Sequence, residues 1–323
     1  MIDFQNVSFS YGEESSGGGI RNVNLTINTG EFVLLTGESG CGKTTITRLV
    51  NGLVPHYYEG NLEGDVLLDG KSVSDTPLYD LAAMVGSVFQ NPKSQFFNVD
   101  TDSELAFACE NLGYPQEDIL KRIDRTVSDY HIEDLMGRSV FALSGGEKQK
   151  IACASSSVLL PGIMVLDEPS SNLDMAAIDD LRQVLSLWKK QGKTILIAEH
   201  RLYYLHDLAD RVLYVKDGEI EREYTPAEFD SLSDGTRKEM GLRPFSLSKL
   251  KPANQYQAHT AKQMEFQNFC FAYKKAGTGK PPYSECRTAC WRNDCHYRSE
   301  WRWKIYSGPL YLRTGKEVWL FAG

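Results

Sequence analysis

The residues that point most directly to chemistry form an unbroken glycine-rich string near the N-terminus. The string reads Gly37-Glu38-Ser39-Gly40-Cys41-Gly42-Lys43-Thr44 and is followed by Thr45. Its glycines let successive backbone N–H groups turn inward on a phosphate, and a helix beginning here adds the positive end of its dipole. In the pattern G-x-x-x-x-G-K-[ST], the lysine reaches the β- and γ-phosphates and the hydroxyl binds Mg²⁺. We therefore predict that residues 37–45, the phosphate loop, bind ATP with Mg²⁺. The alternative is a chance glycine turn.

A pair of acids follows an apolar stretch about 120 residues further along the chain. Residues 163–166 (Ile-Met-Val-Leu) read as a buried strand that ends in Asp167 and Glu168. A carboxylate at a buried strand end is costly unless a cation or hydrogen bonds compensate it. Asp167 therefore suits Mg²⁺, through water, and Glu168 is placed to act as general base on an attacking water. Alone, such a pair is often merely solvated; together with a phosphate loop it indicates ATP hydrolysis.

The elements that must position these residues alternate between strands and helices. A strand predicted over 31–36 precedes the loop and a helix predicted over 44–53 follows it, which is the order of a phosphate-binding unit. Strands at 163–166 and 194–198 are separated by an amphipathic helix at 175–191, so the pattern predicts an α/β fold with a mainly parallel sheet flanked by helices. The other predicted strands are 2–9, 20–27, 212–215 and 219–224, the last two forming a hairpin.

Composition narrows the classes of function. The chain has 323 residues, 41% of them hydrophobic and 24% charged, as in an ordinary globular protein. It has neither an apolar run of about 18 residues nor a signal peptide at its start, so we expect a cytoplasmic protein whose membrane role comes through a partner. The net charge of −8 argues against nucleic-acid binding, and the seven irregularly spaced cysteines read as reduced thiols.

The deciding string lies shortly before the acid pair. It reads Leu143-Ser144-Gly145-Gly146-Glu147-Lys148-Gln149. At this point the sequence resembles the ABC ATPase family, whose signature motif it matches with Glu147 where many members have glutamine. The resemblance covers roughly residues 1–245 and implies that residues 143–147, above all Ser144, Gly145 and Gly146, contact the γ-phosphate of a nucleotide held by the opposite ATPase subunit. A helix N-terminus built from small residues is compatible with such an anion site.

Other positions match the family one by one. By this resemblance, Tyr11 stacks on adenine, Gln90 touches Mg²⁺ and water and senses the membrane partner, and His200 lies near the γ-phosphate as the switch histidine. Residues 170–174 match the loop that communicates across the dimer. Singly, each has a plainer structural interpretation, such as packing for Tyr11 or a satisfied strand-end histidine for His200. The resemblance also implies an antiparallel β subdomain at the N-terminus and a helical subdomain formed mostly by residues near 103–147.

Two short strings suggest a subfamily. Residues 89–97 (Phe-Gln-Asn-Pro-Lys-Ser-Gln-Phe-Phe) and 199–202 (Glu-His-Arg-Leu) resemble the energy-coupling-factor importers, which take up vitamins and cobalt or nickel ions. The favoured function is therefore the ATP-hydrolysing subunit of such an importer. Its implied partners are a second ABC ATPase subunit, identical or not, and integral-membrane subunits that hold it at the inner face of the membrane. The alternatives are a soluble ABC ATPase acting on ribosomes or DNA, whose usual coiled-coil inserts are not visible here, and a truncated nucleotide-binding remnant.

An internal repeat begins near the C-terminus. Residues 264–273 (Met-Glu-Phe-Gln-Asn-Phe-Cys-Phe-Ala-Tyr) echo residues 2–11 (Ile-Asp-Phe-Gln-Asn-Val-Ser-Phe-Ser-Tyr) in the same register, so we expect a second ABC domain to start after a linker at 246–263. After Tyr273 the composition changes: residues 274–323 contain four of the five tryptophans, with ten basic and four acidic side chains. A zinc site at Cys286, Cys290 and Cys295-His296 and a nucleic-acid or membrane contact are alternatives for this tail, and neither is preferred.

The preferred interpretation of residues 274–323 is a frame-shifted translation. Tryptophan has one codon, TGG, which reads as glycine one nucleotide later. Permitted codons for residues 291–306 then give Gly-Gly-Met-Ile-Ala-Ile-Ile-Gly-Val-Asn-Gly-Ala-Gly-Lys-Ser-Thr, a strand running into a second phosphate loop. A frameshift between about Lys274 and Lys280 would leave the tail without a selected fold, disordered or poorly packed. Reading the gene tests this hypothesis directly.

Overall fold

The computed structural model describes residues 1–12 and 18–246 and, beyond them, the backbone of four strands at 263–269, 283–289, 311–314 and 317–320. Contacts divide the chain into two units, Met1–Lys251 and Pro252–Gly323. Most of the predicted linker at 246–263 lies outside the described residues.

The first unit consists of ten described strands and nine described helices. The strands are β1 (Ile2–Tyr11), β2 (Gly19–Ile27), β3 (Phe32–Thr36), β4 (Gly60–Leu68), β5 (Lys71–Ser72), β6 (Val85–Val88), β7 (Ile163–Asp167), β8 (Thr194–Ala198), β9 (Arg211–Lys216) and β10 (Glu219–Tyr224). The helices are α1 (Lys43–Val50), α2 (Leu53–His56), α3 (Leu78–Met84), α4 (Thr101–Asn111), α5 (Gln116–Tyr130), α6 (Gly145–Ser157), α7 (Met175–Lys190), α8 (Pro226–Asp230) and α9 (Asp234–Glu239).

The central sheet has the strand order β10-β9-β3-β8-β7-β6. All neighbours pair in parallel except β10, which pairs antiparallel with β9 as the predicted hairpin. Every residue of β3 and β8 is buried, because a parallel sheet is covered by helices on both faces. The predicted α/β fold with a mainly parallel sheet is therefore confirmed.

Helix α7 shows how the sequence covers one face of this sheet. Its buried residues Ile178, Leu181, Leu185 and Trp188 recur at the three- and four-residue spacing of one helix face, and they belong to the larger core cluster. Asp174 caps the helix by accepting a hydrogen bond from the Ala177 N–H. This helix ends at Lys190, one residue before the predicted boundary.

The N-terminal sheet is antiparallel, with the order β2-β1-β4-β5. Apolar side chains on one side of β1 and β2 are buried in a second core cluster that also contains residues of α1, so this sheet packs near the phosphate loop. Helices α4, α5 and α6 contact one another and form the helical arm, which begins at Thr101 and extends through α6 beyond the predicted boundary near residue 147.

One local expectation needs correction. The helix predicted over 44–53 ends at Val50, because Gly52 adopts a left-handed conformation (φ 75°) that stops it. The segment after β10 forms the short helices α8 and α9, and Phe245 beyond them is fully buried against Phe229.

The second unit is described only as two hairpins. Strand β11 (Gln263–Phe269) pairs antiparallel with β12 (Tyr283–Ala289), and β13 (Tyr311–Thr314) pairs antiparallel with β14 (Glu317–Leu320). Strand β11 covers most of the predicted domain start at 264–273, whose last four residues lie outside the described residues. The frameshift in the tail stays a prediction.

Candidate functional site

The phosphate loop connects the carboxyl end of β3 to the first residue of α1. Gly37 (φ 148°) and Gly42 (φ 110°) lie in the left-handed region that favours glycine. Neither has room for a side chain: a Cβ on Gly37 would lie 2.1 Å from the Val215 carbonyl oxygen, and one on Gly42 would lie 3.0 Å from the Gly19 carbonyl oxygen. These two glycines therefore let the loop pack directly against β2 and β9.

The start of α1 is suited to an anion. Its N-cap residue, Gly42, supplies no side-chain cap, and the first turn contains no acid, so no carboxylate of the helix itself competes for the N–H groups and the positive end of the dipole. The buried Lys43 ammonium donates hydrogen bonds to the carbonyl oxygens of Gly37 (2.9 Å) and Glu38 (2.7 Å). The loop thus combines a fixed cation with a helix N-terminus. Glu38, Ser39 and Gly40 form its exposed tip.

Asp167 is the last residue of β7 and faces the loop. The Thr44 hydroxyl donates to Asp167 Oδ1 at 3.2 Å. Burial raises the pKa of Asp167, the Thr44 hydrogen bond opposes that effect and the charge of Glu168 adds to it, so the pKa lies above its usual value. A desolvated carboxylate next to a hydroxyl offers the hard oxygen ligands that Mg²⁺ prefers.

These two residues would need help to hold the metal. The described part of the chain contains no group of three or more His, Cys, Asp or Glu side chains that could hold a metal ion. A Mg²⁺ ion at Thr44 and Asp167 would therefore take further ligands from phosphate oxygens and water, as it does in phosphate-loop proteins generally.

Glu168 adopts an unusual backbone conformation at the end of β7. Its φ of 44° lies in the left-handed region, which costs a residue other than glycine about 1 kcal/mol, and its N–H donates to the Ala198 carbonyl at 2.8 Å. Strain of this kind tends to occur where a side chain must be held in one place for function.

Two predicted residues meet the Glu168 carboxylate. Gln90 Nε2 donates to Oε2 at 3.0 Å, and His200 Nε2 lies 3.1 Å from Oε1, in close contact but without hydrogen-bond alignment. Burial lowers the pKa of His200, and the Lys43 charge lowers it further against the opposing effect of Glu168. The imidazole is therefore neutral at pH 7. The structure brings Gln90, Glu168 and His200 into contact, and their catalytic roles stay predictions.

Sequence reasoning missed the role of Glu199, which is only 1% exposed. Its Oε1 accepts from the backbone N–H groups of His200 (2.7 Å) and Arg201 (3.0 Å). Its Oε2 accepts from the Ser170 N–H (3.2 Å) and the Tyr204 hydroxyl (2.8 Å). This carboxylate joins the end of β8 to the loop at 170–174. An acid after a buried apolar strand was the signal, and the argument applied to the acids after β7 could have found it.

Tyr11 ends β1 beside α1. Its hydroxyl lies 3.3 Å from Thr45 Oγ1 and accepts a hydrogen bond from Arg48 Nη1 at 3.0 Å, while its ring meets Phe9 edge-on at 4.8 Å between centroids. The aromatic ring is thus held next to the phosphate loop. Its stacking on adenine stays a prediction.

The signature begins α6. Ser144 is the N-cap residue: its Oγ accepts from the Glu147 N–H (3.3 Å) and its N–H donates to Glu147 Oε2 (2.5 Å), which together form a capping box. Arg138 also donates to Glu147 at 3.1 Å. Burial acts to raise the pKa of Glu147, but the hydrogen bonds from Ser144 and Arg138 outweigh it, so the pKa lies below its usual value.

The signature is separate from the phosphate loop. A Cβ on Gly146 would lie 2.7 Å from Ala177 Cβ, so this glycine permits close packing of α6 on α7, whereas Gly145 is exposed and Leu143 is buried. None of the hydrogen bonds among residues 1–12 and 18–246 connects 143–147 to 37–45. Thr44 thus contacts Asp167, and Gln90 and His200 contact Glu168, whereas the described residues show no hydrogen bond between the signature and the phosphate loop.

Fold and site define a phosphate-loop nucleotide-binding protein of the α/β class. A family model described as ABC transporter matches residues 20–171. A relative from Treponema denticola, named for the ABC transporter ATP-binding proteins, is 47% identical over 251 residues, covering 78% of this chain and 51% of the relative. One from Pyrococcus abyssi with the same kind of name is 40% identical over 229 residues, covering 71% of this chain and 81% of the relative. The chain belongs to the ABC transporter ATP-binding family.

Solved structures agree with this assignment. The protein cbiO1 from Clostridium perfringens, described as part of the ABC transporter complex cbiONQ, is 27% identical with a TM-score of 0.61, covering 73% of this chain and 94% of that one. The ATP-binding cassette MJ0796, solved as a dimer in a post-hydrolysis state with ADP and Pi, is 26% identical with a TM-score of 0.60. The match covers 70% of this chain and 99% of MJ0796.

Two further facts bear on the whole protein. The chain spans about half the length of the two Treponema denticola relatives it matches, 51% and 57% respectively. Among the described helices, none has both the length and the apolar character needed to cross a membrane.

Proposed function

We propose that this chain binds and hydrolyses ATP with Mg²⁺, and that it does so to energise a membrane importer. The observation that carries the hydrolysis step is the contact of the Glu168 carboxylate with Gln90 and His200, directly after an Asp167 that accepts a hydrogen bond from Thr44. This arrangement, at the carboxyl ends of the neighbouring strands β6, β7 and β8, supports Glu168 as the base, Gln90 and His200 as its orienting partners and Asp167 as a metal ligand.

Binding relies on the loop and α1. The N–H groups at the start of α1 and the Lys43 ammonium neutralise the phosphates, and Lys43 exchanges its bonds to the Gly37 and Glu38 carbonyls for phosphate oxygens. Thr44 and Asp167 would hold Mg²⁺, which would neutralise negative charge on the phosphates. Tyr11 is near enough to α1 to stack on the adenine.

Hydrolysis relies on Glu168. A carboxylate oxygen accepts the proton of a water molecule while the water oxygen forms a bond to the γ-phosphorus, and the bond from that phosphorus to the bridging oxygen breaks to release ADP. Gln90 fixes one carboxylate oxygen, and the neutral His200, whose pKa is lowered by burial, can donate from its imidazole N–H to a γ-phosphate oxygen.

The signature supports a dimer. By resemblance to the ABC ATPases, residues 143–147 contact a nucleotide on a second ABC ATPase subunit, and their position at the N-terminus of α6 supports this because a helix N-terminus favours an anion. Two ATP molecules are then sandwiched between two domains, whether the second domain is a copy of this one or a related one.

The importer assignment rests on two strings and one relative. Residues 89–97 and 199–202 resemble the energy-coupling-factor importers, and cbiO1 comes from a transporter complex. We propose that integral-membrane subunits contact the Gln90 loop, that the chain lies on the cytoplasmic face of the membrane, and that the cargo is a vitamin or a transition-metal ion.

The hydrolysis proposal is tested by ATP turnover of the purified chain with Mg²⁺. We expect Glu168→Gln to keep ATP binding and to lower turnover by at least roughly a hundredfold, the usual range for loss of a general base. The matched control is Glu59→Gln, an exposed glutamate outside the site, which should leave turnover unchanged. Undiminished turnover in Glu168→Gln would remove Glu168 as the base.

The importer proposal is tested by purification from detergent-solubilised membranes of cells expressing the chain. We expect small integral-membrane proteins to copurify with the chain. Proteoliposomes that contain this complex should transport a solute only when ATP is present on the side of the membrane where this subunit lies. Copurification with ribosomes or DNA instead would support the soluble alternative.

A further inference from the structure

The amide of Gln95 makes three hydrogen bonds that join separate parts of the site. Its Oε1 accepts from the Phe89 N–H at 3.2 Å. Its Nε2 donates to the Ala152 carbonyl at 3.0 Å and to Ser156 Oγ at 2.8 Å. The orientation of the amide is unambiguous, because an N–H can only donate and a carbonyl can only accept. Both N–H groups and the oxygen of the Gln95 side chain are thus in use.

The groups bonded to Gln95 belong to two parts of the structure, the loop after β6 and helix α6. Phe89 immediately precedes Gln90, whose Nε2 holds Glu168. Ala152 and Ser156 lie in α6, the helix that Ser144 of the signature caps, and Ala152 is about two turns from that cap. The Ser156 hydroxyl is also 2.6 Å from the Ser87 carbonyl of β6. One side chain therefore connects the loop that fixes the base to the helix that presents the signature.

The surroundings of Gln95 leave little freedom for these parts to shift independently. A Cβ on Gly86 in β6 would lie 2.6 Å from the Ser156 carbonyl oxygen, so α6 packs on this strand with no room for a methyl group. If α6 shifts along its axis, it must either break the hydrogen bonds of the Gln95 side-chain amide or move the Phe89–Gln90 backbone with it.

We propose that Gln95 is a positioning residue that couples the signature helix to Gln90, so that engagement of Ser144 with a nucleotide sets the place of Gln90 against Glu168. This inference rests on the proposed function, since it concerns the ATP hydrolysis reaction. Gln95 thereby becomes the second residue of the segment 89–97, after Gln90, with a proposed role in hydrolysis.

The test is a double-mutant cycle on turnover of the full chain with Mg²⁺ and ATP. Gln95→Ala should lower kcat roughly tenfold and change the KM for ATP by less than about twofold, because ATP is held elsewhere. In a Gln90→Ala background, Gln95→Ala should cause no further fall, since its effect passes through Gln90. Gln95→Met, close in size but without hydrogen bonds, should match Gln95→Ala, and Ser156→Ala should give a smaller fall.

The matched control is Gln183→Ala, which removes a surface amide bonded to Asp179 on α7 and should leave kcat unchanged. The coupling would be overturned if the losses of kcat from Gln90→Ala and Gln95→Ala add in the double variant. It would also be overturned if kcat is unchanged in both Gln95→Ala and Gln95→Met. If Gln95→Ala does not fold, Gln95→Met and Ser156→Ala carry the cycle. A wild-type chain without turnover would overturn the proposed function instead, which separates the two failures.

Discussion

The buried hydroxyl of Tyr204 provides the sharpest test of how the site is held in place. It donates to Glu199 Oε2 at 2.8 Å, and Tyr204 is 3% exposed. Burial and the Glu199 charge raise the pKa of Tyr204 well above its ordinary value, so the hydroxyl is protonated at neutral pH. Tyr204→Phe removes this one hydrogen bond without removing the ring.

The size of the effect follows from the charge of the acceptor. A hydrogen bond to an ionised group contributes about 1.5–3 kcal/mol. Glu199 keeps its three backbone donors after the change, so the carboxylate is not left unpartnered and the effect should lie at the lower end. We expect Tyr204→Phe to lower the free energy of unfolding by about 2 kcal/mol, a factor of roughly 30 in the unfolding equilibrium.

Denaturant unfolding of the full chain measures this, with tyrosine fluorescence and circular dichroism as two probes. The neighbouring Tyr203 is the matched control: it is partly exposed, and its hydroxyl donates to the Met175 thioether at 3.1 Å, an uncharged acceptor. Tyr203→Phe should change the free energy of unfolding by less than about 0.5 kcal/mol. If the two substitutions change the free energy of unfolding equally, Glu199 does not act as a charged side chain that links β8 to the loop at 170–174.

Three further predictions concern the same region. Asp167→Asn should raise the thermal midpoint of the nucleotide-free chain and abolish its stabilisation by Mg²⁺ with ATP, because burial raises the pKa of Asp167 and so disfavours its charge. Acidification should destabilise the fold below about pH 6.5, since the lowered pKa of His200 means that the unfolded chain binds the proton more readily; His200→Gln should reduce this slope in a stability-against-pH titration. Gly146→Ala should cost roughly 1–3 kcal/mol in denaturant unfolding because its Cβ would lie 2.7 Å from Ala177 Cβ, and Ala177→Gly in the same chain should restore part of the loss.

Local patterns were sufficient to predict the central sheet and to point to the phosphate loop and the acids after β7, whereas Tyr11, Gln90 and His200 came from the family resemblance. The run at 32–36 is apolar throughout because both faces of a parallel strand are covered, and the loop after it must begin with glycine because Val215 leaves no space for a Cβ. The acids after β7 were found by the same physical argument, the cost of a carboxylate at a buried strand end.

Side-chain partnerships between distant segments could not be predicted in this way. Gln95 meets Ala152 and Ser156 across about 60 positions of sequence, and Glu199 meets Ser170 across about 30, and nothing in the composition of either segment specifies the other. Both contacts depend on how α6 and β8 pack in three dimensions. The end of α1 at Val50, earlier than predicted, has a local cause instead, because it is set by the left-handed conformation of Gly52.

The central claim is that the active site is composite, with the phosphate loop of one subunit and the signature of another. The most direct measurement mixes two inactive variants, Lys43→Ala, which retains its signature, and Ser144→Arg, which retains its phosphate loop, and records ATP turnover. Each variant alone should be inactive. Random pairing should restore about a quarter of wild-type turnover, because half of the dimers contain one intact site of two. A mixture no more active than its components, or a fully active Ser144→Arg chain, would contradict the composite site between copies of this chain.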